Sequence, residues 1–427
     1  RHCGGKSTSP RSVCSSPRSS ANRLDFPDPL APMRPMRSPG LMETSAASSS
    51  SFAPRRSDTF EKRITEWTKG AILQGTIAPM DRLPAEILRT FTRKAFHKAG
   101  VPEPDATTIA ALMIEADLQG SDGHGIFRLP QYIRRIQAGG INPRPKIAVE
   151  RERAAMALVN GDNAMGHLAM RFASELAIQK ARTAGTAWVG VRWSNHAGPA
   201  SLYAKMPMRE GMIGMYFAVG NANHLPPWGG VEMLLSTNPI AVAIPAGAEP
   251  PIVLDMATTV AAFGKVKTRA QRGEAMPEGW MVDREGRPLT DPRRMDEGFL
   301  LPIGGYKGYG MALVFGILAG TLNGAAMGRE VIDFNHDDAT PTNTGQAILA
   351  IDVSAFEELD SFKEKIDALA RDIRGSERMK GFERIFLPGE QSHAKSVERG
   401  NQGIPIPPAL LTGLNELGAK LGIGKLA

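Results

Sequence analysis

The chain has 427 residues, 42% of them hydrophobic and 22% charged, with a formal charge of +7. This is the composition of a globular protein long enough to bury a large core, ordinarily as two domains or one large domain with appendages, and no run approaches the roughly 18 uninterrupted apolar residues of a membrane helix. Residues 1 to 57 carry nine Lys or Arg against three Asp or Glu, so +6 of the +7 belongs to them, and the near-neutral remainder argues against a nucleic-acid or phosphate-binding face as the main function.

Cys3 and Cys14 are the only cysteines. The body therefore offers no thiol nucleophile, disulfide or thiolate metal site, which fits a reducing compartment and sets a cytoplasmic location as the expectation. Residues 1 to about 58 are rich in Ser, Pro and Arg, include the run Ser48 to Ser51, and lack a sustained apolar period. Residues 1–79 are accordingly expected to be disordered or a spurious N-terminal extension. An organelle transit peptide and a translation start further down, for instance at Met80, are both open readings.

From Pro84 the pattern becomes helical. Ile87, Phe91 and Ala95 recur at helical spacing up to Gly100, and Ile109, Leu112, Met113 and Ala116 recur at i, i+3, i+4 and i+7 after Pro104, up to Gly120. A short helix through Tyr132 and Ile136 is broken by Gly139-Gly140. Two strand-like pieces follow, Ile147 to Val149 and Ala155 to Val159, and then a long helix from about Ala164 to Ala184. Strands are predicted at Thr186 to Val191, Met212 to Val219, Asn238 to Ile244, Ile252 to Leu254 and Gln346 to Val353, with a helix from Tyr309 to Leu322 between the last two. Interleaved strands and helices make the fold class α/β. No Gly-x-Gly-x-x-Gly follows a strand, so an ordinary Rossmann domain is not expected.

Between the second and third helices lies Ser121-Asp-Gly-His-Gly-Ile-Phe-Arg-Leu-Pro-Gln-Tyr132. Gly123 and Gly125 let the backbone bend around His124, which is predicted on an exposed, rigidly framed loop before a helix that starts near Pro130. An imidazole titrating near neutrality can exchange a proton with an alkoxide, and the guanidinium of Arg128 can hold a carboxylate through two parallel hydrogen bonds. A loop histidine with a structural role is the plainer alternative.

Ser194-Asn195-His196-Ala197-Gly198 follows a strand and precedes a helix through Leu202 and Met206. Ligands collect at such strand ends, so His196 is a second acid/base or a substrate partner, or else a helix cap. His224 lies in a loop before Pro226-Pro227-Trp228-Gly229-Gly230. Asp255 ends an apolar strand, where it can orient an imidazole or cap the next helix. Lys265 and Lys307 follow glycine-containing turns and can meet a carboxylate or phosphate. The histidines are too scattered for a metal site to be read from their spacing, and no Gly-x-Ser-x-Gly elbow marks a hydrolase.

Taken in order, these stretches resemble the non-Rossmann malate/L-lactate dehydrogenase family, which includes ureidoglycolate, sulfolactate and diketogulonate dehydrogenases and cyclic-imine reductases. The resemblance runs from about Met80 to the C-terminus. It rests on Gly123-His124-Gly125 with Arg128 and Tyr132, Ser194-Asn195-His196, Pro226 to Gly229, Thr237-Asn238-Pro239, Asp255 to Thr258 with Gly264-Lys265, Gly304 to Gly310, and Leu387-Pro388-Gly389-Glu390.

The resemblance implies hydride transfer between NAD or NADP and a small 2-oxo or 2-hydroxy acid, or a cyclic imine such as piperideine-2-carboxylate, in a homodimer. It implies a catalytic region over residues 80–427, with a helical part at about 80–145 and 355–427 and a nicotinamide-binding part at about 146–354. His124 matches the proton donor, His196 a second histidine at the substrate, and Asp255 the support of the His124 imidazole. Arg128, Tyr132 and Lys265 are implied at the substrate. Asn221, Asp255, Met256, Ala257, Thr258, Thr259, Tyr306, Lys307, Gly308, Gly389, Glu390 and Gln391 are implied at the cofactor, with the Ala257 to Thr259 stretch read as a strand-to-helix turn. One departure stands out: the family usually has Ser where this chain has Gly123, which bears on the substrate more than on the reaction. A paralogue that binds a metabolite without turning it over is the reading from another class. Partners other than the substrate and a second copy, such as nucleic acid, a membrane or a metal, are not expected.

Overall fold

Helical stretches entered behind prolines open the computed structural model, which describes residues 81–426; the expectations for residues 1–79 lie outside these. Strand β1 (Asp81–Leu83) leads through Pro84 into α1 (Ala85–Lys98), and α2 (Glu103–Leu118) follows Pro102. Proline's fixed φ suits these entries. In α2 the predicted stripe of Ile109, Leu112, Met113 and Ala116 is buried. In α1 the buried stripe is Leu88, Phe91 and Ala95, while Ile87 is 44% exposed. Positions i and i+3 face the core there, where the sequence reading took i and i+4. α3 (Leu129–Ala138) stops at Gly139, whose φ of +94° makes a left-handed cap.

The chain continues through β2 (Ala148–Arg153), β3 (Met156–Ala164), α4 (Gly166–Ala184), β4 (Thr186–Ser194), α5 (Ser201–Arg209), β5 (Met212–Ala218), β6 (Ile240–Ile244) and β7 (Ile252–Met256). Then come α6 (Phe263–Arg272), β8 (Met281–Asp283), β9 (Gly298–Leu300), α7 (Tyr306–Ala319), β10 (Gln346–Asp352), α8 (Leu359–Gly375), α9 (Glu390–Gln402), β11 (Ile404–Ile406) and α10 (Pro408–Leu421). A seven-stranded sheet runs in the order β2-β3-β4-β10-β5-β6-β7. Only β3 and β4 pair in parallel, joined by α4 as the crossover that parallel strands need; the other pairs are antiparallel. This is an α/β fold with a mixed sheet, distinct from the mostly parallel sheet of a Rossmann domain.

Ala169, Ala173, Ala177 and Ala181 recur every four residues along α4 and are fully buried, so small side chains let this helix lie close on the sheet. The sheet adds Val159, Val189, Val191 and Ile348. The same apolar core takes in Phe91, Met113 and Ile133 from the leading helices and Ile404, Ile406 and Leu414 from the end of the chain. Each such side chain, fully buried, contributes about 1.5–3 kcal/mol. β1 and β11 pair through Leu83 and Ile404, which ties the two ends of the described chain together.

Two local features aim residues at the site. The β3–β4 register shifts between Asn160 and Ala164, where Asp162, Asn163 and Trp193 all have φ near +50°. Such a bulge bends the pair, and β4 runs on to Ser194 before releasing Asn195 and His196. After β7 the expected strand-to-helix turn is absent, because α6 begins only at Phe263. Thr258 donates from its amide to Thr237 O at 2.9 Å and receives the amide of Ile303 at 3.0 Å, bonds that hold this stretch out of a helix.

Candidate active site

His124 stands in a tight turn that α2 itself builds. Asp117, in the last turn of α2 and 3% exposed, accepts the amide of Ile126 at 2.8 Å through Oδ2. Burial holds the Asp117 carboxyl well above the usual range, against the pull of that amide. A Cβ on Gly125 would lie 2.0 Å from Asp117 Oδ1, so glycine is required there by close approach. Nothing lies within 4 Å of a Cβ built on Gly123, so that glycine is not required for space. The amide of His124 donates to Ser121 O at 2.8 Å. Among the described residues, nothing hydrogen-bonds the His124 ring.

Arg128, four residues on and 9% exposed, turns back to the same turn. Its Nε donates to Gly123 O at 2.9 Å and its Nη1 to Gln131 Oε1 at 2.8 Å; Nη2 donates to none of the described residues. The guanidinium carbon stands over the rings of Phe127 and Phe334, 5.7 and 5.5 Å from their centroids. A rigidly held fork with one unused N–H end is thereby presented to the cleft.

His196 is held from the other side. Asn195 donates to Asn163 Oδ1 at 2.7 Å and to Ala164 O at 3.1 Å, and Gln346 donates to Asn195 O at 3.0 Å. The amide of Gly198 donates to His196 Nδ1 at 3.3 Å, and the phenol oxygen of Tyr132 lies 2.5 Å from the same atom. A backbone N–H can only donate, so Nδ1 accepts, Tyr132 is the donor, and the neutral ring carries its hydrogen on Nε2. The His196 ring is nearly parallel to those of His124 (5.5 Å, 18°) and Phe334 (5.4 Å, 8°). Behind this pair His167 is fully buried at the start of α4, with its ring edge-on to Tyr132 at 5.9 Å.

His124, Arg128 and His196 line one cleft with Asn221, His224 and Phe334. The His224 ring stacks on Phe263 at 3.9 Å. The cleft contradicts the expected exposure of His124. Burial, then the charge of Arg128, lowers its imidazole to about 4, and burial brings His224 to about 4 as well. For His196, burial and then His124 push the pKa well below its ordinary value. All three rings are neutral at pH 7.

The other expected positions divide into two groups. Asn221 is 5% exposed and lines the cleft; its Nδ2 donates to Thr344 Oγ1 at 2.6 Å and its Oδ1 takes no hydrogen from a described residue. Tyr132 is fully buried and lies behind His196, outside the cleft lining. Asp255 makes no bond to His124: its Oδ2 accepts the amide of Ser201, 2.9 Å away, at the start of α5. Lys265 is exposed near the start of α6 and lies outside the cleft lining, because the helix turns its side chain to solvent.

The remaining positions gather along the edge strand β7. The amide of Val253 bonds Pro388 O at 3.0 Å, a Cβ on Gly389 would meet Val253, and the amide of Val260 bonds Leu301 O just before α7. Met256 and Ala257 lie between these contacts, partly exposed. Several side chains are already engaged. Thr258 and Thr259 are buried with hydroxyls on Thr237 O and Ala261 O, and the Glu390 carboxylate takes Arg374 Nε at 2.5 Å and the Leu387 amide. Tyr306, Lys307 and Gln391 are exposed, and Gly308 packs against the carbonyl of Ile303.

The malate/L-lactate dehydrogenase family model matches residues 83–415. The chain belongs to the malate/L-lactate dehydrogenase family. Malate dehydrogenase of Pyrococcus horikoshii is 38% identical over 351 residues, covering 80% of this chain and 96% of that protein. Ureidoglycolate dehydrogenase (NAD(+)) of Escherichia coli K12 is 32% identical over 325 residues, covering 76% and 92%. The solved sulfolactate dehydrogenase of Methanocaldococcus jannaschii superposes with a TM-score of 0.75 at 37% identity, covering 81% of this chain and 98% of that one. Membership makes this chain a dehydrogenase of the family's mixed α/β fold.

Sequence reasoning missed Asp117, Gln131, His167 and Phe334. Phe334 precedes Asn335 and His336 in a polar loop, a mixture that suits a site wall, but no spacing connects it to His124. Among the described residues no helix is long and apolar enough to cross a membrane.

Proposed function

We propose that the chain transfers a hydride between a nicotinamide cofactor and a small 2-oxo or 2-hydroxy acid. One observation carries this reading: an imidazole that no described residue hydrogen-bonds, His124, opens on the same cleft as a guanidinium, Arg128, whose Nη2 donates to none of the described residues.

The cleft residues fit a nicotinamide. Where β5 ends, Ala218, Val219 and Gly220 offer a strip with no side chain larger than valine, which suits a flat ring, and the free Oδ1 of Asn221 suits a carboxamide N–H. A nicotinamide held there would supply or accept the hydride. The β7-edge group, with its exposed Tyr306 and Lys307, supports a place for the rest of the dinucleotide.

The chain's own residues do the remainder. Arg128 binds the substrate carboxylate. His196, its Nδ1 satisfied by Tyr132, donates from Nε2 to the substrate's 2-oxygen. His124 moves the proton. Neutral, it takes the hydroxyl proton during oxidation; charged, it returns one during reduction. A carboxylate on Arg128 offsets the charge that depresses His124 and draws its pKa back toward neutrality.

A second copy of the chain is the partner this reading includes. In α7 only Gly308, Ala312, Gly316 and Ala319 are buried, whereas Val314, Ile317 and the following Leu322 are 51%, 44% and 61% exposed. A helix apolar on all sides calls for a cover on its open face.

The test is nicotinamide absorbance with NADH and NADPH separately, against pyruvate, oxaloacetate, diketogulonate and cyclic imines. Oxidation of one cofactor by a 2-oxo acid is expected. Turnover of cyclic imines alone would favour the imine reductase, and cofactor binding without turnover a non-catalytic paralogue.

A further inference from the structure

The His124 turn is gripped by a helix whose Arg399 lies 277 residues beyond Asp122 in the chain. Arg399 on α9, 8% exposed, donates through Nη1 to the carbonyl oxygen of Asp117 and to Asp122 Oδ1 at 2.5 Å, and through Nη2 to Asp122 Oδ2 at 3.3 Å. These acceptors lie on either side of the link from α2 to His124: Asp117 in the last turn of α2, Asp122 two residues before the histidine. The Asp117 carboxyl group meanwhile holds the far side of the turn by accepting the Ile126 amide. One helical turn before Arg399, the stem of Lys395 crowds Gly120, its Cδ 2.6 Å from where a Cβ would stand. α9 thus seats the whole link between α2 and the histidine.

With no hydrogen bond from a described residue, the His124 ring takes its place from its backbone and from its stacking on His196. The same backbone carries Gly123 O, the acceptor for Arg128 Nε. A shift of Asp122 moves the imidazole and the carboxylate-binding fork together, and it alters the His124–His196 stack.

We propose that Arg399 is a positioning residue: its forked bond to Asp122 sets the place of the acid/base histidine relative to Arg128 and His196. The proposal rests on the role given to His124 above. The Asp122 side chain is 60% exposed, and an ion pair with one member largely in solvent adds little to folding, so its loss should appear in catalysis before stability. Displacing a catalytic group by about 1 Å can cost on the order of 100-fold in rate.

The test compares Asp122→Asn, Arg399→Lys and Arg399→Met in the full chain. It reads kcat and KM with the 2-oxo acid turned over by the wild type, the thermal midpoint, and the His124 ring resonances of histidine-labelled protein. Asp122→Asn is expected to lower kcat about 10-fold or more with the cofactor KM and the midpoint unchanged. Arg399→Met should lower kcat at least as far and, by leaving the Asp117 carbonyl without its buried donor, lower the midpoint as well; Arg399→Lys should recover part of the kcat loss, and the double variant Asp122→Asn/Arg399→Met should be no worse than Arg399→Met because the two share one interaction. Folded Asp122→Asn with wild-type kcat overturns the proposal, whatever Arg399→Met does to folding. If the wild type reduces no 2-oxo acid, the functional reading has failed separately. The ring then decides: displaced His124 resonances in Asp122→Asn support the positioning role, and unmoved ones overturn it.

Discussion

The phenol of Tyr132 lies 2.5 Å from Nδ1 of His196, a nitrogen that the Gly198 amide already fixes as an acceptor. This bond assigns different work to two histidines whose rings stand 5.5 Å apart. His196 has a set tautomer with Nε2–H to donate, whereas His124 is free to gain or lose a proton.

Tyr132→Phe removes the donor and leaves His196 with the longer bond from Gly198. The expected result is a fall in kcat of about 10- to 100-fold, from a ring no longer held in one tautomer, with a stability loss of about 1 kcal/mol for the broken hydrogen bond. Steady-state kinetics and thermal melting check both. Unchanged kcat would remove the tautomer argument.

The two directions of the reaction should respond differently to pH. His124 in the free enzyme is lowered to about 4, first by burial and then by Arg128. Reduction needs the imidazolium, whose fraction falls tenfold per pH unit above that value, so kcat/KM for the 2-oxo acid should fall steadily from pH 5 to 8. Oxidation needs the neutral ring, already dominant, so kcat/KM for the hydroxy acid should stay flat from pH 6 to 8. Flat profiles in both directions would take His124 out of the proton transfer.

Arg128 has two tasks, and its removal should show both. Arg128→Ala loses the carboxylate fork, raising the KM of the 2-oxo acid by about 10- to 100-fold, and also loses the bond to Gly123 O, so kcat falls too. A wild-type KM in this variant would exclude Arg128 from substrate binding.

The resemblance to the family implies a serine, as the family usually has, at the position where this chain has Gly123. Because a Cβ there meets nothing within 4 Å, Gly123→Ser should fold with stability within about 0.5 kcal/mol of the wild type. Its effect should fall on preference among 2-oxo acids, measured as a changed ratio of kcat/KM values. A large loss of stability would show that the turn is tighter than its geometry indicates.

The parts of this site that were legible in the sequence are the local ones. Helical spacing located α2, and the glycines around His124 and the strand before Ser194 announced turns at sheet or helix ends. What lay beyond reach depends on contact between distant segments. The polar run from Ser121 to Gly125 reads as solvent-exposed, and it is β5, α6 and the Phe334 loop, folding over it, that enclose His124. Asp255 reads equally well as a partner for an imidazole and as a cap, and only the fold shows that it holds the Ser201 amide. Tyr132 stood correctly on a helix, but no periodicity says that its hydroxyl meets His196. Ile87 was misplaced because i+3 and i+4 spacings are both helical and packing chooses between them.

The most direct measurement is nicotinamide absorbance in the presence of a 2-oxo acid for the wild type and His124→Asn, together with cofactor binding by both. Turnover by the wild type, its loss by about 100-fold or more in His124→Asn, and equal cofactor affinity are the expected result for a lost acid/base group. Near wild-type turnover in a folded His124→Asn protein would contradict the assignment of proton transfer to this histidine.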